Sequence, residues 1–268
     1  MRIHIFTTDA SAFELSKWLP DGDRVEAVIV PDNRRASEKV RAVRTAGKRL
    51  GIPVYDHARG ETLPKTLPEA DAAISWLYSQ IIKSEDLTNY PKGMLNMHGG
   101  RIPEYRGANV LQWQIINGEK ELAITWHEIV EAVDAGPIWA ESTIPIAGEV
   151  TALAIREAMI REGINLFPTA WQRATTAGTE PRIPDLTSGH IWPSRRPKDG
   201  IVQPGLTKTQ IQNIVRALCP PWPPATIQHQ NQWYELSAVS SENGADRIAY
   251  ETTDGSIVYL QAALTDLP

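Results

Sequence analysis

Residues 72–100 read AAISWLYSQIIKSEDLTNYPKGMLNMHGG, and two short segments inside them decide the fold. Ala72 to Tyr78 is a nearly continuous apolar run, the pattern of a strand covered on both faces rather than half exposed. Met94 to Met97 is a second short strand that runs straight into His98-Gly99-Gly100. Strands of this kind belong to a parallel sheet with helices packed above and below it, because parallel neighbours need crossover connections.

Upstream, the alternation of strand and helix repeats. Arg2 to Thr8 carries Ile3, Ile5 and Phe6, Ala12 to Leu19 has helical character, and Val25 to Val30 is a second strand closed by Pro31-Asp32. Ser37 to Leu50 puts Val40, Val43 and Leu50 on one helical face, with Gly51 as the stop, and Val54-Tyr55 is a brief strand. Downstream, Val110 to Ile116 reads as a helix, and Ala123 to Ile129 and Ile138 to Ile144 as strands. A long helix capped by Thr151 then carries Leu153, Ile160, Ile164, Phe167 and Trp171, and Pro168 predicts a kink or split in it. The pattern predicts an α/β fold: a Rossmann-like, mostly parallel sheet with helices on both faces over residues 1–186. Proline and tryptophan gather in Ile183 to Pro204, Thr207 to Leu218 is an amphipathic helix, and Ala225 to Ala263 reads as short strands with an Asp254-Gly255 hairpin turn. Residues 187–268 are therefore expected to form a helix plus a small, mainly β region.

The composition removes several function classes. The 268 residues carry 27 Lys+Arg against 32 Asp+Glu, a net charge of -5, so a polyanion such as DNA or tRNA is not the expected main ligand. A single cysteine, Cys219, permits no intramolecular disulfide and no cysteine-based zinc site. The opening MRIHIFTTDAS does not have the pattern of a signal peptide, and no run of about 18 apolar residues occurs, which gives the expectation of a cytoplasmic protein without membrane partners. The first glycine is Gly22, too late for the Gly-rich turn after the first strand that NAD or FAD binding needs, and no Walker-type loop is present. His127-Glu128 resembles the start of a zinc-protease helix, but Glu131 stands where the second histidine belongs and the segment is strand-like.

Asn96 and His98 lie two apart at the end of a strand, so their side chains share one face at the carboxyl edge, where open α/β sheets bind ligands. Asp134 sits in the turn Val133-Asp134-Ala135-Gly136-Pro137. A carboxylate, an imidazole and an amide donor are the parts needed to deprotonate an amine and stabilise an oxyanion. Spacing alone favours a structural histidine and an aspartate that only shapes its turn.

The run from Leu95 to Ile138 carries a denser pattern: Asn96-x-His98, Pro103-x-Tyr105-Arg106-Gly107, Asn117-Gly118-Glu119 and Asp134-x-Gly136, in fixed order. It resembles the core of the N10-formyltetrahydrofolate-dependent formyltransferases, the family of methionyl-tRNA, glycinamide ribonucleotide and sugar-nucleotide N-formyltransferases. The resemblance implies Asn96, His98 and Asp134 as the catalytic triad, with His98 taking the proton of an attacking amine, Asn96 bonding the oxyanion and Asp134 orienting the imidazole. It implies N10-formyltetrahydrofolate as formyl donor, no metal and no covalent enzyme intermediate. It also implies donor contacts from Leu77, Tyr78, Ser79, Gln80, Ile81 and Ile82 before the catalytic strand, and from Val130, Glu131, Ala132 and Val133 in the aspartate loop.

The acceptor follows from finer features. Pro31 to Ala36 leaves no room for the long basic insertion of the methionyl-tRNA enzymes, and IQNIVRALCPPWPP (211–224) resembles the tail of the sugar-nucleotide enzymes, with Pro224 in place of their usual glycine. His98-Gly99 resembles the sugar enzymes too, since the tRNA enzymes usually carry proline after the histidine. The expected acceptor is a nucleoside-diphosphate-linked amino sugar, with no nucleic-acid partner; the apolar Trp/Pro-rich tail is compatible with a homodimer, and the oligomeric state stays open. The alternatives are a methionyl-tRNA formyltransferase with a reduced C-terminal domain and a non-catalytic folate or nucleotide-sugar binding module. Arg34, Arg35, Lys39, Arg41, Arg44, Lys48 and Arg49 read as a solvated helix face, and Trp222 and Trp113 as packing residues.

Overall fold

Burial of the apolar runs at Arg2–Thr7 and Ala72–Trp76 organises the chain, and the other elements add to that pair. The structure, a computed structural model, describes residues 1–32, 37–148 and 150–265; Arg34 and Arg35 of the basic set lie outside the described residues. In chain order the elements are β1 (Arg2–Thr7), a 3-10 helix (Ala10–Trp18), β2 (Arg24–Pro31), α1 (Glu38–Leu50), β3 (Val54–His57), β4 (Ala72–Trp76), α2 (Ser84–Leu87), β5 (Met94–His98) and β6 (Arg106–Gly107). There follow α3 (Val110–Ile116), β7 (Glu121–Glu128), β8 (Ile138–Pro145), α4 (Ala152–Thr175), β9 (Ile191–Trp192), a second 3-10 turn (Pro197–Gly200), α5 (Lys208–Ala217), β10 (Ala225–His229), β11 (Gln232–Ser240), β12 (Arg247–Glu251) and β13 (Ile257–Thr265).

Contacts divide the chain into two compact units, the first comprising Met1–Arg106, Ala123–Ser142 and Ile160–Gly189. Its frame is a seven-stranded sheet in the order β3-β2-β1-β4-β5-β7-β8. The pairs β1–β2, β2–β3, β1–β4 and β4–β5 are parallel, and β5–β7 is antiparallel. All five residues of β4 are buried, as its nearly continuous apolar run requires. Ser37 caps α1 by accepting from the Val40 N–H, and Gly51 ends it in the left-handed conformation at φ 70°, the stop expected of a glycine there. β4 ends at Trp76, two residues earlier than its apolar run, because Leu77 turns left-handed at φ 50°. The four-residue helix α2 carries no periodicity and has no signature in the sequence.

An aromatic row fills the space between sheet and α4. Trp76 stacks on Trp126 at 5.8 Å, Trp126 meets Phe167 at 5.2 Å, and Phe167 meets Trp171 at 5.7 Å between ring centroids. The Trp126 indole N–H donates to the Gly163 carbonyl of α4 at 2.9 Å, which satisfies a polar group inside an apolar layer. Pro168 does not split α4, which runs unbroken from Ala152 to Thr175. Its ring removes one helical N–H, but Phe167, Ala170 and Trp171 are buried around it, and packing of an apolar face outweighs a lost backbone bond. Thr151 caps this helix with a 3.4 Å bond from the Ala154 N–H.

The second unit comprises Gly107–Leu122, Thr143–Met159 and the segment from His190 onward. It holds α3, α5 and an antiparallel sheet in the order β10-β11-β13-β12. Thr207 and Gln210 form a capping box at the start of α5. Asp254-Gly255 makes the β12–β13 turn, with the Thr252 N–H donating to the Ser256 carbonyl at 2.9 Å. No helix among the described residues is long and apolar enough to cross a membrane.

Gly163 fixes how closely α4 approaches the sheet, since a Cβ there would lie 3.0 Å from Trp76 and 3.3 Å from Met97. Gly163→Val adds branched carbons where no space exists, and overpacking of this kind costs about 1–3 kcal/mol, more than the gain in helix propensity returns. Urea unfolding should therefore show a lower midpoint for Gly163→Val with an unchanged m-value.

Candidate active site

β5 presents Asn96 and His98 on one face, and its antiparallel register with β7 sets Asn96 opposite His127 and His98 opposite Thr125. Directly opposed residues in such a pair share a face, so four polar side chains gather at one end of the sheet. Asn96 Nδ2 lies 3.1 Å from His127 Nε2, and His127 Nδ1 lies 2.9 Å from the Glu128 carbonyl. A carbonyl can only accept, so His127 carries its proton on Nδ1, and Nε2 accepts from the Asn96 amide. One amide hydrogen of Asn96 is left to point elsewhere.

The same logic fixes His98. Its Nε2 is 2.5 Å from the Tyr105 carbonyl, so Nε2 is the donor and Nδ1 the position that takes up a proton. Asp134 completes the cluster from the loop between β7 and β8. Its two oxygens lie 3.6 Å from His98 Nδ1 and 3.5 Å from His127 Nε2. At 3.6 Å the carboxylate acts on His98 through its charge, and the ring is oriented by the Tyr105 carbonyl. Burial holds the His98 pKa below the usual imidazole value. The Asp134 charge and the Tyr105 bond oppose that shift, and His127 adds to it. The result is an imidazole kept neutral, facing a carboxylate that favours its protonated form.

Two glycines make this geometry sterically possible. A Cβ on Gly100 would lie 2.6 Å from the Tyr105 carbonyl oxygen and 2.8 Å from His98 Nε2, so glycine is required for the carbonyl to reach the ring. A Cβ on Gly136 would run into the Glu128 carbonyl, so the Asp134 loop folds back on β7 only with glycine there. Asp134 itself is left-handed at φ 44°, a conformation that aspartate tolerates better than most residues. Thr125 Oγ1 donates to the Gly100 carbonyl at 2.8 Å and ties the loop after β5 to β7.

The ten residues expected to contact a donor fall into two groups. Tyr78 and Ile82 are half-buried against the cluster of Phe6, Ile29, Leu63, Ala73, Tyr90 and Met94. The Tyr78 hydroxyl donates to His57 Nδ1 at 2.7 Å, since His57 Nε2 donates to the Glu61 carbonyl at 3.0 Å. These two side chains therefore anchor the loop after β4 rather than face outward. Leu77 is half-buried, Ser79 is exposed and Ile81 is 81% exposed, while Val130, Glu131, Ala132 and Val133 are all exposed. Gln80 Oε1 is buried with no hydrogen-bond partner. Ile129, just before the second group, packs on the same cluster as Tyr78 and Ile82, so both loops border one piece of core.

His127, Tyr105 and Gly100 are site residues that the sequence reading missed. The strand character that excludes a zinc motif at His127-Glu128 is what places His127 across from Asn96. The Tyr105 contribution comes from a backbone carbonyl, which no side-chain pattern reveals.

Residues 58–171 match the family model described as formyl transferase. Among solved structures, the chain superposes with a TM-score of 0.73 on an N-formyltransferase from Helicobacter canadensis in complex with folinic acid and dTDP-3-aminofucose, at 19% identity over 97% of this chain and 99% of that one. A methionyl-tRNA formyltransferase from Clostridium thermocellum gives 0.61 at 17% identity, with 100% of both chains covered. HypX from Aquifex aeolicus gives 0.63 at 19% identity over 97% of this chain, which spans 43% of the length of that protein. At such identities the likeness is one of fold, and the proteins matched act in different settings. What the family match adds to that fold is a matched region that encloses Asn96, His98, His127 and Asp134.

Proposed function

We propose that this protein is an N-formyltransferase that takes its formyl group from N10-formyltetrahydrofolate and passes it to the amine of a nucleoside-diphosphate-linked amino sugar. The observation that carries the reading is the convergence of His98 Nδ1, the spare Asn96 amide hydrogen and the Asp134 carboxylate beside β5. The buried, unpartnered Gln80 Oε1 and the uncovered Ile81, Val130 and Val133 suit a flat, heteroaromatic donor that brings N–H groups and apolar surface together. When bound, the folate supplies an electrophilic formyl carbon. His98 then accepts the amine proton at Nδ1, Asp134 stabilises the imidazolium that results, and Asn96 offers its free N–H to the formyl oxygen. On this reading residues 1–186 form the catalytic domain, Leu77 to Ile82 and Val130 to Val133 supply donor contacts, and the protein works in the cytoplasm.

An amino-sugar acceptor is favoured over tRNA by the net charge of -5, since tRNA binding depends on releasing counterions from many phosphates. An acceptor screen with formyl donor present, comparing nucleotide-linked 4-amino and 3-amino sugars with methionyl-tRNA, tests this directly. Turnover of a sugar nucleotide is expected; efficient formylation of methionyl-tRNA alone would replace the acceptor in this reading.

Asn96→Ala and His98→Ala should each lower turnover by about two orders of magnitude or more with circular dichroism unchanged. Near-normal turnover in a folded His98→Ala would remove His98 as the base. Gly100→Ala should push the Tyr105 carbonyl off His98 and lower kcat by about tenfold or more, while donor affinity stays close to wild type.

The pH profile carries a sign. His98 must be neutral to act as base, so turnover rises with pH through its pKa, and burial puts that limb below the usual imidazole range. Asp134 raises the pKa, so Asp134→Asn should move the limb to still lower pH while reducing kcat. Turnover against pH for the two proteins, with donor affinity measured alongside, reads both effects. An unmoved limb and unchanged kcat would leave Asp134 with a structural role only.

A further inference from the structure

In the second unit, residues 190–196 (HIWPSRR) are fastened along residues 107–113, although they form almost no regular structure. The Ala108 N–H donates to the Trp192 carbonyl at 3.0 Å, Trp113 Nε1 donates to the Pro193 carbonyl at 3.0 Å, and the Arg195 N–H donates to Asn109 Oδ1 at 2.9 Å. Gly107 is left-handed at φ 99°, and a Cβ there would meet the Trp192 backbone. So many fixings on an irregular strand hold its side chains in set positions, and the last two are arginines.

Arg195 lies with its guanidinium carbon 5.5 Å from the centre of the Trp113 ring. Its Nε is buried and makes no hydrogen bond. A buried guanidinium donor left without an acceptor is costly, and burial lowers the Arg195 pKa against the weaker pull of Asp199. Asp199 is tied instead to the Arg196 backbone, accepting its N–H at 2.6 Å. Arg196 is exposed beside it. Across the cleft, with the Gln112 amide set to satisfy both neighbours, its nitrogen donates to the Asn109 carbonyl and its oxygen accepts from Trp222 Nε1, each at 3.2 Å. Trp222 is therefore pinned by its indole N–H as a half-buried wall, and Pro223 closes that side.

We infer that the cleft formed by Asn109, Gln112, Arg195, Arg196 and Trp222 binds a nucleoside diphosphate, the two guanidiniums taking the phosphates and the Trp222 ring the base. Paired guanidiniums match phosphate oxygens in charge and fork geometry, and a fixed indole offers the flat face on which a base stacks. An inorganic phosphate would use the arginines and leave the indole idle. This inference rests on the proposed acceptor, which carries a nucleoside diphosphate, and every residue it names belongs to the second unit.

Calorimetric titration of the full-length protein with UDP, dTDP and GDP, and with inorganic pyrophosphate, tests it. At least one nucleoside diphosphate should bind with 1:1 stoichiometry. Arg196→Gln, a change at an exposed side chain, should weaken both nucleotide and pyrophosphate by about tenfold, whereas Trp222→Leu should weaken the nucleotide by about tenfold and leave pyrophosphate as it was. Absence of nucleotide binding, or wild-type affinity in both variants, overturns the inference. The two readings fail differently. If an amino-sugar nucleotide is formylated and its KM is unmoved by Arg196→Gln, the cleft is wrong and the acceptor stands. If nucleotides bind with the expected losses but no amino-sugar nucleotide is formylated, the acceptor is wrong and the cleft stands.

Discussion

The antiparallel pairing of β5 with β7 is the constraint on which the site depends. The pairs β1–β2, β2–β3, β1–β4 and β4–β5 are parallel, and parallel strands offer no directly opposed polar pair of this kind. Reversal of one strand brings His127 across from Asn96 and Thr125 across from His98. It also starts the Asp134 loop at the far end of β7, so the chain must double back, which it does against the Glu128 carbonyl at Gly136. A one-residue slip of β7 in this register would turn Thr125 and His127 to the face opposite Asn96 and His98 and dissolve the cluster.

Charge inside the cluster is balanced rather than neutralised. Asp134, 15% exposed, faces two histidines that are almost fully buried, at distances where a carboxylate exerts a strong field without a direct bond to His98. A buried carboxylate without partners would take up a proton, and two buried imidazolium groups would repel each other. The arrangement avoids both by keeping the His98 ring neutral at rest, and each ring has one nitrogen committed to a backbone carbonyl. What remains available for chemistry is one lone pair on His98, one amide hydrogen on Asn96 and the charge on Asp134. Preorganised polarity of this sort favours charge that develops during reaction over charge already present.

Rigidity beneath the site comes from the aromatic row. Trp76 and Trp126 sit on neighbouring parts of the sheet, and the Trp126 bond to Gly163 fixes α4 against them. The neighbouring residues on β7, Thr125 and His127, face the other way and belong to the cluster. Alternation along a single strand therefore serves packing on one face and chemistry on the other.

Much of this was legible in the sequence, for definable reasons. Apolar runs at Arg2–Thr7, Arg24–Pro31 and Ala72–Trp76 could satisfy their backbones and bury both faces only in a parallel sheet, so the fold class followed from burial alone. Asn96, His98 and Asp134 stood out because they lie in an ordered series of short motifs from Leu95 to Ile138, and the resemblance carried by such a series is a local property that a string of letters preserves. The continuity of α4 through Pro168 was not legible, because it depends on the burial of Phe167 and Trp171, an energy that local propensity does not contain. Nor were the roles of His127, the Tyr105 carbonyl and Gly100, nor the inward turn of Tyr78 toward His57. The sequence by itself determined which residues could do chemistry and on which strand end they lie; the tertiary structure alone decided which nitrogen of His98 is free and what sits across from Asn96. Those depend on strand register and on a backbone oxygen brought in from seven residues away, and both are set by long-range pairing rather than by the identity of any residue.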